Sequence, residues 1–185
     1  MTARAIAANR SLLPDPGADI VLNTGDCLPH VSLAMGCIKP AELDGIATIL
    51  EAIAHKYAPI TLSATHVQVA TNAVGRKISS FVVGKNAAIQ SLHEQIMREL
   101  APHLSYDVEA DMLLGPQKIA KSTLSWIANY PANSSFERFF PHITIGYGEL
   151  GDISALIEFS ASRLAVCHLG NHCTCRKVLV AVELG

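Results

Sequence analysis

Charge is scarce in this chain: 16% of its 185 residues are Asp, Glu, Lys or Arg, and the formal net charge is −2 with histidine neutral. That balance argues against a broad basic surface neutralising many phosphates of a long nucleic acid, and leaves a small anionic ligand or an RNA end as the polar partner to consider. No apolar run approaches the roughly 20 residues of a membrane span, so no membrane partner is expected. No secretory signal is recognisable, and the five cysteines are an odd number in a chain that is not short. Reduced thiols and a cytoplasmic location are therefore expected. Half of the residues are apolar, enough for one compact domain spanning residues 1–185. Residues 1–13 carry Arg4 and Arg10 among Ala and Ser with no acid, a faint likeness to an organelle transit peptide. The plainer expectation is a flexible segment over residues 1–17.

The chain then alternates strand and helix signals. After the turn Pro14–Gly17, Asp19–Asn23 reads as a short strand, and Pro40–Tyr57 as a helix with Leu43, Ile46, Leu50, Ile53 and Ala54 on one stripe, stopped by Pro59. Ile60–Val69 alternates like a strand and pairs with Ile78–Val83 across a turn around Asn72 and Gly75. Asn86 caps a second helix running to Leu100, with Ile89, Leu92, His93 and Ile96 on its buried side. A short helix is expected around Ser122–Ala128, a loop over Pro131–Ser135, and a further helix over Asp152–Phe159 with Asp152 as its cap. Arg163–Leu169 and Thr174–Leu184 close the chain as a hairpin through Gly170 and Asn171.

One pattern occurs twice. Pro29-His30-Val31-Ser32-Leu33-Ala34-Met35-Gly36 and Pro141-His142-Ile143-Thr144-Ile145-Gly146-Tyr147-Gly148 both read P-H-φ-[ST]-φ-x-x-G. Each alternates apolar with polar or small residues over a strand length, so histidine and hydroxyl share the face opposite the core. One copy per half-chain, with the histidines 142 − 30 = 112 positions apart, suggests an internal duplication. Two such strands side by side line a groove with two imidazoles and two hydroxyls.

These paired motifs resemble those of the two-histidine phosphoesterase superfamily, which includes RNA 2′,3′-cyclic phosphodiesterases also called 2′-5′ RNA ligases. The resemblance implies a bilobal α+β fold, with two antiparallel sheets and outer helices around a pseudo-twofold central groove. It implies His30 and His142 as catalytic residues, Ser32 and Thr144 as phosphate-binding ones, no cofactor, and no metal in the reaction. The first motif has Ser32 where the family usually has threonine, which retains the hydroxyl.

The residue types suit that chemistry. Opening a cyclic phosphodiester with water needs a base for the water proton and an acid for the departing sugar oxygen. An imidazole titrates near pH ~6.5, so of two histidines one can be neutral while the other is protonated. Ser32 and Thr144 hydroxyls can donate to the non-bridging oxygens. The expected substrate is a small cyclic nucleotide or an RNA end bearing a cyclic phosphate, hydrolysed to a 2′-phosphate; the alternative is a non-catalytic RNA or nucleotide binding module using the same groove. The pattern does not say which histidine is acid and which is base.

Other residues have two readings each. His66 lines the groove or faces solvent; Tyr147 stacks on a base or fills the core, which its alternation with Ile143 and Ile145 favours; Arg138 reaches a phosphate or sits in solvent. His55, His93 and His103 read as ordinary helix-side residues. The cluster Cys167, His168, His172, Cys173 and Cys175 invites a structural zinc, but the Cys-x-Cys gap is wrong and Cys167 and His168 face opposite sides of a strand, so buried thiols in a hairpin are the better account. Gly84-Lys85-Asn86 is a turn and cap, without P-loop spacing.

Overall fold

The computed structural model describes residues 1–13, 19–72, 75–115, 118–152 and 155–185. The expected turn at Pro14–Gly17 lies outside these residues. The fold is α+β. Strands β1 (Ile60–Thr71), β2 (Lys77–Val83), β3 (His142–Tyr147) and β4 (Ile157–Ala161) form one antiparallel sheet in the order β3-β2-β1-β4. Strands β5 (Arg163–Leu169) and β6 (Cys175–Glu183) form a second sheet of two, as the terminal hairpin signal predicted. The helices are α1 (Thr2–Leu12), α2 (Leu43–Ala54), α3 (Ala87–Leu100), α4 (Lys121–Ala128) and α5 (Tyr130–Ser134).

Apolar periodicity explains most of this. Ile46, Leu50, Ile53 and Ala54 of α2 are buried at helical spacing, after a 3-10 turn at Pro40–Glu42. On α3, Asn86 Oδ1 accepts the Ile89 amide at 3.0 Å, and Ile89, Leu92, Ile96 and Leu100 turn inward. These two stripes share one core with Phe81 and Val83 of β2 and Ile143 and Ile145 of β3.

The register of the large sheet sorts its two faces. Val67, Phe81 and Ile143 stand opposite one another across β1, β2 and β3, and make the core row. The row on one side of it is His66, Val82 and His142, and on the other Gln68, Ser80 and Thr144. Residues directly opposite in an antiparallel pair point to the same side, so these two rows share the polar face.

Four expectations are corrected. Asp19–Asn23 is not a strand but an irregular stretch, bound through Asn9. The first histidine motif bends at Leu33 and joins no sheet ladder among the described residues; isolated bridges tie Leu28 to Cys175 and Cys37 to Ser105 at its two ends. Pro131–Ser135 falls mostly within α5 rather than a loop, Pro131 standing in its first turn. Finally, the helix expected from Asp152 to Phe159 gives way to strand β4 from Ile157 on, with Ile153 and Ser154 outside the described residues. Its Ile-x-Phe-x-Ala alternation pairs with Ile60–Ala64, and Asp152 Oδ1 accepts the Val67 amide at 2.8 Å instead of capping a helix.

Residues 2–12, which the composition left as a loose lead, form α1 against β3, held by one buried side chain. Asn9 is 1% exposed. Its Nδ2 donates to Ile145 O at 2.7 Å and Ile20 O at 2.9 Å, and its Oδ1 accepts the Leu22 amide at 2.9 Å. A Cβ on Gly146 would lie 2.9 Å from that Nδ2, so the glycine is what lets the amide reach the strand. Asn9→Ala orphans three buried backbone groups, and urea unfolding should show a loss of about 2–4 kcal/mol, against less than about 0.5 for the exposed Arg4→Ala.

Candidate active site

His30 and His142 arrive on different supports but are held alike. Strand β3 carries His142 on the polar face of the large sheet, with Thr144 two residues on. His30 and Ser32 sit on the segment between Leu28 and Cys37, whose ends are pinned by Leu28 N to Cys175 O at 3.0 Å and by paired bonds of 2.8 and 2.9 Å between Cys37 and Ser105. His30 Nδ1 donates to Leu28 O at 2.8 Å, and His142 Nδ1 donates to Phe140 O at 2.9 Å. A carbonyl can only accept, so the proton is on Nδ1 in both rings. Each ring therefore offers Nε2, as a lone pair when neutral and as N–H when protonated.

The electrostatics connect the two. Burial is the main cause that lowers the pKa of His30 from its ordinary value of 6.5; the Leu28 carbonyl opposes this, and the charge of a protonated His142 adds to it. His30 is thus kept neutral beside His142. Among the described residues no hydrogen bond engages the Ser32 or Thr144 hydroxyl, so both are available to a ligand. His66 is exposed at the outer end of the row that runs through Val82 to His142, two strands away or about 10 Å. Its Nδ1 lies 3.0 Å from Thr65 Oγ1.

The family model of the 2′-5′ RNA ligase superfamily matches residues 24–165, three quarters of the chain and both histidine motifs. The chain belongs to that superfamily. Its fold is also similar to the crystal structure of TT0787 of Thermus thermophilus, with a TM-score of 0.63 at 16% identity over 98% of this chain and 90% of that one. No curated protein matches it. Membership points to phosphoesterase or ligase-type chemistry.

The other candidates fall outside the superfamily's pair. Tyr147 is 5% exposed at the far end of β3, with the Arg76 guanidinium 3.7 Å above its ring and its hydroxyl 3.0 Å from His172 Nδ1. Asp19 completes that cluster, 3.0 Å from Arg76 Nη1 and 3.4 Å from His172 Nε2. Tyr147 thus belongs to the core, where its alternation put it. The Arg138 guanidinium donates back to the Ala132 carbonyl.

In the hairpin, Cys167 and Cys175 form a disulfide, which replaces the free thiols expected there. Cys27, Cys37 and Cys173 are free, and burial pushes the Cys173 thiol up to about 12, which leaves it protonated and inert. No group of three or more metal-ligating side chains forms among the described residues. No helix among them is long and apolar enough to cross a membrane.

A cavity of about 960 Å³ has His30 and Ser32 in its wall together with Leu50, Leu92, Ile96 and Leu179, and it also touches Ile143 but neither His142 nor Thr144. Since Ile143 and His142 face opposite sides of β3, this space meets β3 on the side away from His142. Sequence reasoning missed Asn9 and the partners of His172 and His93, which are mostly backbone atoms or residues far along the chain. For His93 the signal was its place on the buried stripe of α3. NMR titration of the His30 imidazole should give a pKa below 6.5, and His142→Gln should raise it, because the substitution removes the neighbouring charge and leaves the burial.

Proposed function

We propose that this member of the superfamily hydrolyses a 2′,3′-cyclic phosphodiester to a 2′-phosphomonoester, using His30 as base and His142 as acid. The observation that supports this most directly is the repeated tether: both rings hold their Nδ1 protons on carbonyls two residues back, so both direct Nε2 to chemistry. In this proposal the His30 segment and β3 form the two walls of one groove, and the local repeat is what favours a pseudo-twofold relation between them. The sheets behind them are unequal, with four strands and two.

The roles follow from charge. His30, kept neutral by burial, takes a proton from water at Nε2 as the water oxygen bonds to phosphorus. The bond from phosphorus to O3′ breaks, and O3′ receives the Nε2 proton of a protonated His142. Ser32 and Thr144 donate to the non-bridging oxygens, where negative charge builds. The proton transfers need no further group, and with the 5′-hydroxyl of a second strand attacking phosphorus in place of water the same two transfers would form a 2′-5′ linkage. The low charge of the chain favours a small cyclic nucleotide or an RNA end over a long RNA.

The test is turnover of a 2′,3′-cyclic mononucleotide and of a short RNA ending in a cyclic phosphate by chelator-treated protein, with 2′- and 3′-phosphate products resolved. His30→Ala and His142→Ala should each lower kcat by roughly 10²–10⁴-fold. Ser32→Ala and Thr144→Ala should cost less, roughly 10–10³-fold. The profile of kcat/KM against pH should be bell-shaped with its acid limb below pH 6.5, since a lowered His30 pKa preserves the base to lower pH. Wild-type rates in either histidine variant overturn the assignment. Tight binding without product would move it to a nucleotide-binding module.

A further inference from the structure

Helix α3 touches both histidine segments through one side chain. His93 is fully buried. Its Nδ1 lies 2.6 Å from Leu33 O, three residues after His30, and its Nε2 accepts the Phe136 amide at 2.8 Å. Its ring stacks on Phe139 at 4.0 Å between centroids and 5° between planes. Phe139 in turn precedes Phe140, whose carbonyl holds His142. Two partners of opposite polarity leave one chemical form that satisfies both: a carbonyl needs Nδ1–H, and an amide N–H needs the Nε2 lone pair, so the ring is the neutral Nδ1–H tautomer. Burial, which lowers the His93 pKa, favours the same form.

The Phe136 end of this contact is constrained by more than one bond. Phe136 has φ 54°, a left-handed conformation unfavourable for a residue with a Cβ. One turn before His93 on the same helix face, Gln90 Nε2 donates to Phe136 O at 2.9 Å. Both polar groups of the strained residue are thus taken by α3, and Lys85 Nζ donates to Phe139 O at 3.2 Å just beyond it.

We propose that His93 is a positioning residue that sets the spacing between the two site histidines, by holding Leu33 on one segment and the Phe136–Phe139 approach on the other. It touches no substrate. A helix is stiff, so a ring fixed on α3 transmits a defined separation to both segments, whereas the His30 segment has no ladder of its own to define one. The kinetic arm of the test rests on the hydrolytic reading above; the spectroscopic arm does not.

Two substitutions separate the bonds. His93→Asn puts an amide where Nδ1 stands and retains the Leu33 contact; His93→Gln reaches the Nε2 position and retains Phe136. With side-chain nitrogens followed by NMR, His93 of the wild-type protein should be the neutral Nδ1–H tautomer at neutral pH. The Asn variant should shift the His142 imidazole more than His30, and the Gln variant the reverse. In turnover, both should lower kcat roughly 10- to 100-fold with KM changed less, as expected when reacting groups are displaced by about 1 Å. Folded variants whose His30 and His142 signals stay in place overturn the proposal, as does a wild-type His93 that is cationic or protonated on Nε2. Should both variants fail to fold, the wild-type tautomer still decides; should the wild type hydrolyse nothing, the crossed imidazole shifts do.

Discussion

The bond from each site imidazole to the carbonyl two residues before it is the interaction on which the rest of the site depends. At 2.8 Å for His30 and 2.9 Å for His142 it settles the tautomer, the ring orientation and the exposed nitrogen together. It requires that residues 28 and 140 present their carbonyls to the ring rather than to a neighbouring strand. For Phe140 this is possible because β3 begins only at His142. At Leu28 the chain makes one isolated bridge to β6 through the other side of the residue, its amide, so the carbonyl is free to turn back to His30.

The two halves of the site are nonetheless stabilised by different means. His142 inherits its position from a continuous ladder through β2 to β1. His30 has three separate anchors over ten residues, at Leu28, Leu33 and Cys37, to β6, α3 and Ser105 respectively. A ladder resists displacement cooperatively, whereas separate anchors fail one at a time. That asymmetry explains why buried, fully satisfied polar side chains gather where the first half needs them. His93 serves the segment of His30, and Asn9 closes the exposed edge of β3 while fixing the stretch at Ile20 and Leu22 that leads toward it.

The parts legible in the sequence are those encoded by local periodicity. The stripes of α2 and α3, the pairing of β1 with β2, the terminal hairpin and the faces of the second histidine motif all follow from apolar spacing. For the first motif the same alternation reports an extended backbone with a polar and an apolar side, but says nothing of what its backbone bonds to, and the sheet inferred there is absent. Asp152 shows a second limit: a cap-type side chain precedes a short apolar run, yet it is a distant strand amide, Val67, that uses the carboxylate. The run itself, Ile157-Glu158-Phe159, has period two, and that was the better guide. Contacts such as Asn9 with Ile145 span 136 positions and join a side chain to backbone atoms, so no pattern of residue types announces them.

Charge economy ties the composition to the proposed chemistry. The cations near the second motif are engaged by backbone: Lys85 with the Phe139 carbonyl and Arg138 with that of Ala132. Between the two histidines, burial of His30 and mutual repulsion disfavour a doubly protonated pair. A cyclic phosphodiester carries a single negative charge, and one imidazolium with two neutral hydroxyls answers it without a polycationic surface. A longer nucleic acid brings further phosphates, each needing a cation that a chain with 16% charged residues has in short supply. The scarcity of charge and a site that disfavours two protonated histidines thus act in the same direction at two scales, and both favour a ligand whose negative charge is concentrated at one phosphorus.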